Sequence, residues 1–143
     1  MDNPSNAVEP FFHALEQETA SGDMAALAER FSASFLAASP SGSKIAQRSV
    51  FVESMPPRKQ LFDKLGCRPA RLISLETTAL DARYTLAKTR WQLTFVREGQ
   101  EQQDVFADST YIVDTGAEPF QIILYLTSQD LPKVLVERGI LAS

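Results

Sequence analysis

Residues 84–96 read YTLAKTRWQLTFV, and from Leu86 on the odd and even positions do different jobs. Trp91, Leu93 and Phe95 fall on one side, and Lys88, Arg90, Gln92 and Thr94 on the other. A period of two predicts a β-strand that is wet on one face and buried on the other. Such a strand needs strand neighbours along its edges and an apolar layer beneath its inner face. The same period predicts strands over 70–80, 104–113 and 120–127. The links between them are the turns Asp81-Ala82-Arg83, Arg97-Glu98-Gly99-Gln100 and Asp114-Thr115-Gly116-Ala117-Glu118. Four consecutive strands with short links predict an antiparallel meander.

Upstream the period is helical. Asn6 with Glu9 three residues on has capping-box spacing, and Pro10 still fits a first turn. Val8, Phe12, Leu15 and Thr19 then form one face, widened by Phe11. Ser21-Gly22-Asp23 ends this helix and caps a second, MAALAERF, which should bury Leu27 and Phe31. Two short extended pieces, 34–38 and 43–47, flank the turn Ser39-Pro40-Ser41-Gly42. Ser49 can cap one helical turn over VFVES, which Met55-Pro56-Pro57 is expected to break, because a residue before proline avoids helical geometry. Pro57 then opens a further helix, RKQLFDKL, with Leu61, Phe62 and Leu65 as its stripe and Gly66 as its stop. Asp130 caps a last helix, LPKVLVER, ended by Gly139. The expected class is α+β: a curved antiparallel sheet of about six strands wrapped around N-terminal helices, cone-like, with an internal pocket.

Composition narrows the partners. With 143 residues, 44% hydrophobic and 22% charged, the chain is read as one ordinary globular domain, 1–143, large enough to bury a core. A net charge of −4 argues against nucleic acid, whose phosphates demand a basic surface. No window is long and apolar enough to cross a bilayer, and MDNPSNAVEP carries neither a basic start nor an apolar run. A cytoplasmic location and no membrane partner are therefore expected. Cys67, a lone cysteine, is expected to be a small buried or half-buried residue at a strand entrance.

The order of elements, with Ser21-Gly22-Asp23, Phe31, Ser39-Pro40-Ser41-Gly42, Arg90-Trp91 and the closing YIVDTGAEPFQIILYLTSQDL, resembles the nuclear transport factor 2-like superfamily. That group includes ketosteroid isomerase, scytalone dehydratase, SnoaL-like polyketide cyclases and many non-catalytic domains. The chain looks most like the uncharacterised SnoaL-like members. The resemblance implies a cone with a small-molecule pocket. It also implies a homodimer formed through the outer face of the sheet. Carried onto this chain, the isomerase's general-base position falls on Ser39 and its first-helix tyrosine on Leu15. Its second oxyanion-hole acid falls near Ser109. A serine without a neighbouring base is a poor substitute for a carboxylate, so isomerase-type proton shuttling is not expected. Scytalone dehydratase-like chemistry relies on an Asp/His pair. His13, the one histidine, points about 200° away from Leu15 around its helix at roughly 100° per residue.

Other chemistry finds little support. One His and one Cys far apart do not make a metal site, and no cofactor is expected. Asp81, Asp104 and Asp108 read as solvated carboxylates. The glycines read as turns rather than a phosphate loop. The residues expected to line the pocket are Phe12, Leu15, Phe31, Ser39, Trp91, Ser109, Tyr111 and Tyr125. An apolar hollow with a few convergent hydroxyls is what a small-molecule site looks like. Three functions stay open: binding of a small apolar or mixed ligand without turnover, a cofactor-free lyase, isomerase or cyclase, and a dimeric interaction module.

Overall fold

The computed structural model describes residues 4–141. Its elements run α1 (Pro4–Ser21), α2 (Met24–Glu29), β1 (Phe31–Ser39), β2 (Gly42–Gln47), α3 (Arg48–Lys64), β3 (Arg71–Ala79), β4 (Tyr84–Phe95), β5 (Gln103–Asp114), β6 (Gln121–Thr127) and α4 (Leu131–Glu137). The strands form one six-stranded sheet in the order β2-β1-β6-β5-β4-β3. The expected α+β class holds, and β3 to β6 form the antiparallel meander. The β1–β2 hairpin joins it through β6, to which β1 runs parallel.

Period two is visible along the central strand. Thr85, Ala87, Thr89, Trp91 and Phe95 are buried, whereas Lys88 and Arg90 are exposed. Register shifts occur in β1 between Phe31 and Leu36, in β3 between Leu72 and Ser74, and in β6 at Ile123, which is skipped between the partners of Ile112 and Val113. Extra residues on one strand bend it and raise the local twist, and these shifts curve the sheet around its inner face. That concave side receives α1, whose Val8, Phe11, Phe12 and Leu15 are buried against it.

The core comes in two parts. The larger joins α1, α2 and the first half of α3 to the middle of the sheet, with Phe12, Phe31, Phe35, Trp91 and Tyr111 at its centre. The smaller gathers Phe95, Val105, Leu135 and Ile140, with Phe62 of α3 and Leu65 at that helix's C-cap packed against it. Asp23 and Asp130 cap α2 and α4 as expected, accepting from the N–H groups of Ala26 (3.1 Å) and Lys133 (3.3 Å).

Three helical expectations are corrected. α1 begins at Pro4, ahead of Asn6, so Pro10 lies within the helix rather than in its first turn; the Asn6 side chain, expected as the cap, lies outside the described residues. α2 stops at Glu29, and Phe31 begins β1 instead of ending the helix. There the Ile122 N–H donates to the Arg30 carbonyl at 2.7 Å, and the Phe31 ring packs 4.9 Å from the rings of both Phe35 and Phe51. Sheet pairing outweighs one more turn of a short helix. Finally, α3 runs unbroken through Pro56 and Pro57. The prolines leave the Val52 and Glu53 carbonyls without their helical donors. Aromatic anchoring on both sides of the break, Phe51 on the larger core and Phe62 on the smaller, holds the helix in one piece.

Candidate functional site

Between the two parts of the core lies a cavity of about 350 Å³. Its wall on the sheet side comes from Trp91 and Leu93 of β4, Ala107, Ser109 and Tyr111 of β5, and Tyr125 and Thr127 of β6. Leu15 of α1 and Leu27 of α2 close one side. The opposite wall is one stripe of α3: Phe51, Met55, Arg58, Phe62. Their spacing of i, i+4, i+7 and i+11 is that of a single helical face.

Trp91 is fixed in its wall by a short relay. Its indole N–H donates to Thr89 Oγ1 at 3.0 Å, and that hydroxyl donates to the Ser109 carbonyl at 3.0 Å. Tyr111 packs between the rings of Phe12 (5.0 Å) and Tyr125 (4.9 Å). Burial, together with the neighbouring Tyr125 hydroxyl, holds the Tyr111 phenol well above its usual range, so it stays protonated. The hydroxyls of Ser109, Tyr111, Tyr125 and Thr127 thus give an otherwise apolar cavity a set of neutral donors and acceptors.

Two acids at the wall, Asp63 and Asp108, are ion-paired, and the Cys67 thiol is shifted. Asp108 receives both a 2.8 Å and a 3.1 Å bond from the Arg90 guanidinium, which lowers its pKa from the ordinary carboxylate value. The Cys67 thiol is pushed up to about 11, chiefly by burial and further by Asp63. Asp63 itself pairs with Lys59 at 3.1 Å. His13 is exposed on the far side of α1, with its ring nitrogens 3.7 Å and 3.8 Å from the carboxylates of Glu9 and Glu16. Among the described residues no group of three or more His, Cys, Asp or Glu is placed to hold a metal ion.

Of the eight residues expected at a pocket, Leu15, Phe31, Trp91, Ser109, Tyr111 and Tyr125 border this cavity and two do not. Phe12 is completely buried behind Tyr111, a core ring rather than a wall. Ser39 sits at the tip of the β1–β2 hairpin. There it accepts from the Ser41 N–H at 3.3 Å and lies 2.9 Å from the Ser41 hydroxyl. Both of its hydrogen bonds stay within the hairpin turn. Conversely, the α3 stripe and Arg68 were not anticipated; the stripe's helical spacing was present in the sequence but masked by the double proline. Asp108, read as a solvated carboxylate, borders the cavity and is ion-paired.

A curved sheet cupping helices around such a cavity is the architecture of nuclear transport factor 2-like, cystatin-like proteins, and comparison with solved structures bears this out. An NTF2-like protein with a cystatin-like fold from Novosphingobium aromaticivorans is similar at 12% identity, with a TM-score of 0.71 over 95% of this chain and 87% of that one. An NTF-2-like protein of unknown function from Shewanella oneidensis shares 15% identity at a TM-score of 0.67, covering 88% and 99%. A putative polyketide cyclase from Xanthomonas campestris shares 15% identity at 0.58, covering 93% and 97%. No family model matches the sequence, and no curated protein matches it significantly. The chain therefore has the NTF2-like fold, and at these identities the likeness extends to fold alone.

Proposed function

We propose that this chain binds a small apolar or mixed ligand in the cavity between its two core parts and releases it chemically unchanged. One observation carries the reading: a titratable group able to exchange protons near neutral pH is what catalysis of the isomerase or lyase type needs. Asp108, Cys67 and Tyr111 ordinarily titrate outside that range, and their surroundings move each further from it. What remains is an apolar chamber with hydroxyls, whose volume falls at the lower end of small-molecule sites (roughly 300–1,000 Å³). Residues 1–143 act in this reading as one domain. A cytoplasmic setting suits its free, half-buried Cys67 thiol.

The test is a thermal-shift screen of small apolar compounds followed by mass analysis of each hit after incubation. A ligand at one hundred times its Kd stabilises by about 2.7 kcal/mol, which raises Tm by several degrees. Hits recovered at their original mass support binding. Conversion of a hit overturns the reading in favour of a cofactor-free lyase, isomerase or cyclase. That second reading has its own support, because the Ser109, Tyr111 and Tyr125 hydroxyls border one cavity and could together stabilise a developing oxyanion.

The outer face of the sheet is the proposed contact with a second copy of the chain. Ile45, Leu36, Leu124, Ile112 and Leu86 are register neighbours across β2, β1, β6, β5 and β4, making one apolar row on the side away from the helices. Beside it the Arg90–Asp108 pair and the cross-strand neighbours Lys88 and Glu76 mix both charges. A surface carrying both signs next to an apolar row can be complementary to itself across a two-fold axis.

A further inference from the structure

We infer that the ligand is an apolar monoanion, a carboxylate or sulfonate on an aromatic or aliphatic body, whose charged end sits between Arg58 and Arg68 at the cavity mouth. The inference rests on the binding reading above and adds the class of ligand.

Charge around the cavity runs against the charge of the chain. The whole molecule carries −4. Yet the residues bordering the cavity include Arg58, Lys59 and Arg68 against Asp63 and Asp108. Both carboxylates are already taken: Asp63 by Lys59 at 3.1 Å and Asp108 by Arg90 at 2.8 Å. Among the described residues neither Arg58 nor Arg68 has a carboxylate within ion-pairing distance. Among the described residues, then, the cavity is bordered by two exposed guanidinium groups that have no ion-pair partner.

Their settings suit recognition of an anion. Arg58 lies over the Phe62 ring, 5.3 Å from its centroid, so its planar group is oriented before any ligand arrives. Arg68 projects from a backbone anchored to β4, where its N–H donates to the Thr94 carbonyl at 2.7 Å. A guanidinium presents a fork of donors that matches a carboxylate or sulfonate. Behind the mouth Trp91, Phe31, Phe51, Met55 and Leu27 present only apolar surface to the body of a ligand. A neutral apolar molecule would leave both cations unused, and a small hydrophilic anion would leave the chamber unfilled. The combination selects a molecule with one charged end.

Two fluorescent probes with the same aromatic body separate the alternatives: neutral phenylnaphthylamine and anionic anilinonaphthalene sulfonate. Each is titrated into the full chain and into the Arg58→Gln/Arg68→Gln variant, at low and high salt, after both proteins are shown to have the same unfolding transition. The sulfonate is expected to bind wild type about tenfold more tightly than the neutral probe, as charge-assisted contacts at a partly wet mouth imply. In the variant that advantage should shrink to about twofold, and in wild type it should fall as salt rises. Equal binding of the two probes to wild type, or an advantage that survives in the variant, overturns the anion assignment and leaves the cavity reading standing. Failure of both probes to bind overturns the cavity reading, and the inference with it.

Discussion

Thr85 is completely buried on the inner face of β4, and its hydroxyl is the one buried side-chain polar atom without a hydrogen-bond partner among the described residues. A buried hydroxyl left unpaired costs about 1–3 kcal/mol. Thr85→Val removes it while nearly preserving shape, opposite Val113 on β5. Chemical denaturation should show a gain of about 1 kcal/mol with an unchanged m-value. Trp91, a few residues along the same strand, was legible from period two alone because its alternation continues through Phe95. Tyr111 and Ser109 were legible for the same reason. Phe12 and Ser39 could not be sorted from wall residues that way. Phe12 shares a helix face with Leu15, and which of the two meets a void depends on Tyr111 arriving from a distant strand. Asp108 reads in sequence as a solvated carboxylate, and only the pairing of β4 with β5 shows that Arg90 lies opposite and binds it.

Among the elements, the four late strands were legible, since their inner faces keep one period and their turns carry Gly and Asp. Helix α3 was not. Local rules stop a helix before proline, whereas Phe51 and Phe62 anchor this one on two separate parts of the core. Where α3 meets β4, the chain passes through Gly66 at φ +77°, and its carbonyl accepts from the Val96 N–H at 2.9 Å. A Cβ built there would overlap the Val96 carbonyl oxygen, so the approach of the two segments depends on the missing side chain. Gly66→Ala is therefore expected to destabilise by at least about 2 kcal/mol, combining left-handed strain with backbone displacement. Thermal or denaturant unfolding checks the magnitude, and faster amide exchange over the last turn of α3 would locate the damage.

For the molecule as a whole, the meander was legible strand by strand, but where the first hairpin joins it was not. Nothing local marks β1 as the parallel neighbour of β6; the pairing brings Phe31 beside Ile122. That pairing also completes the outer apolar row, in which Leu124 lies between Leu36 and Ile112. Replacing Leu124 by Lys should leave the inner core intact and place a like charge on both sides of the proposed two-fold contact. Light scattering coupled to size exclusion should show the wild type as a dimer and Leu124→Lys as a monomer at the same concentration. A monomeric wild type, or a variant that stays dimeric, removes this face from consideration.

The late pairing of β1 with β6 also orders events in time. A nascent chain emerges with its first hairpin early, but the strand that must receive that hairpin comes after residue 120. Contacts so distant along the chain form slowly, because a long loop must close before any are gained. Until then Phe31 and Phe35 have no sheet to enter, and these aromatic rings stand open to other chains. A ribosome stalled before Gln121 would thus hold a polypeptide whose chamber lacks a wall, and holdase chaperones should engage it most strongly at that length.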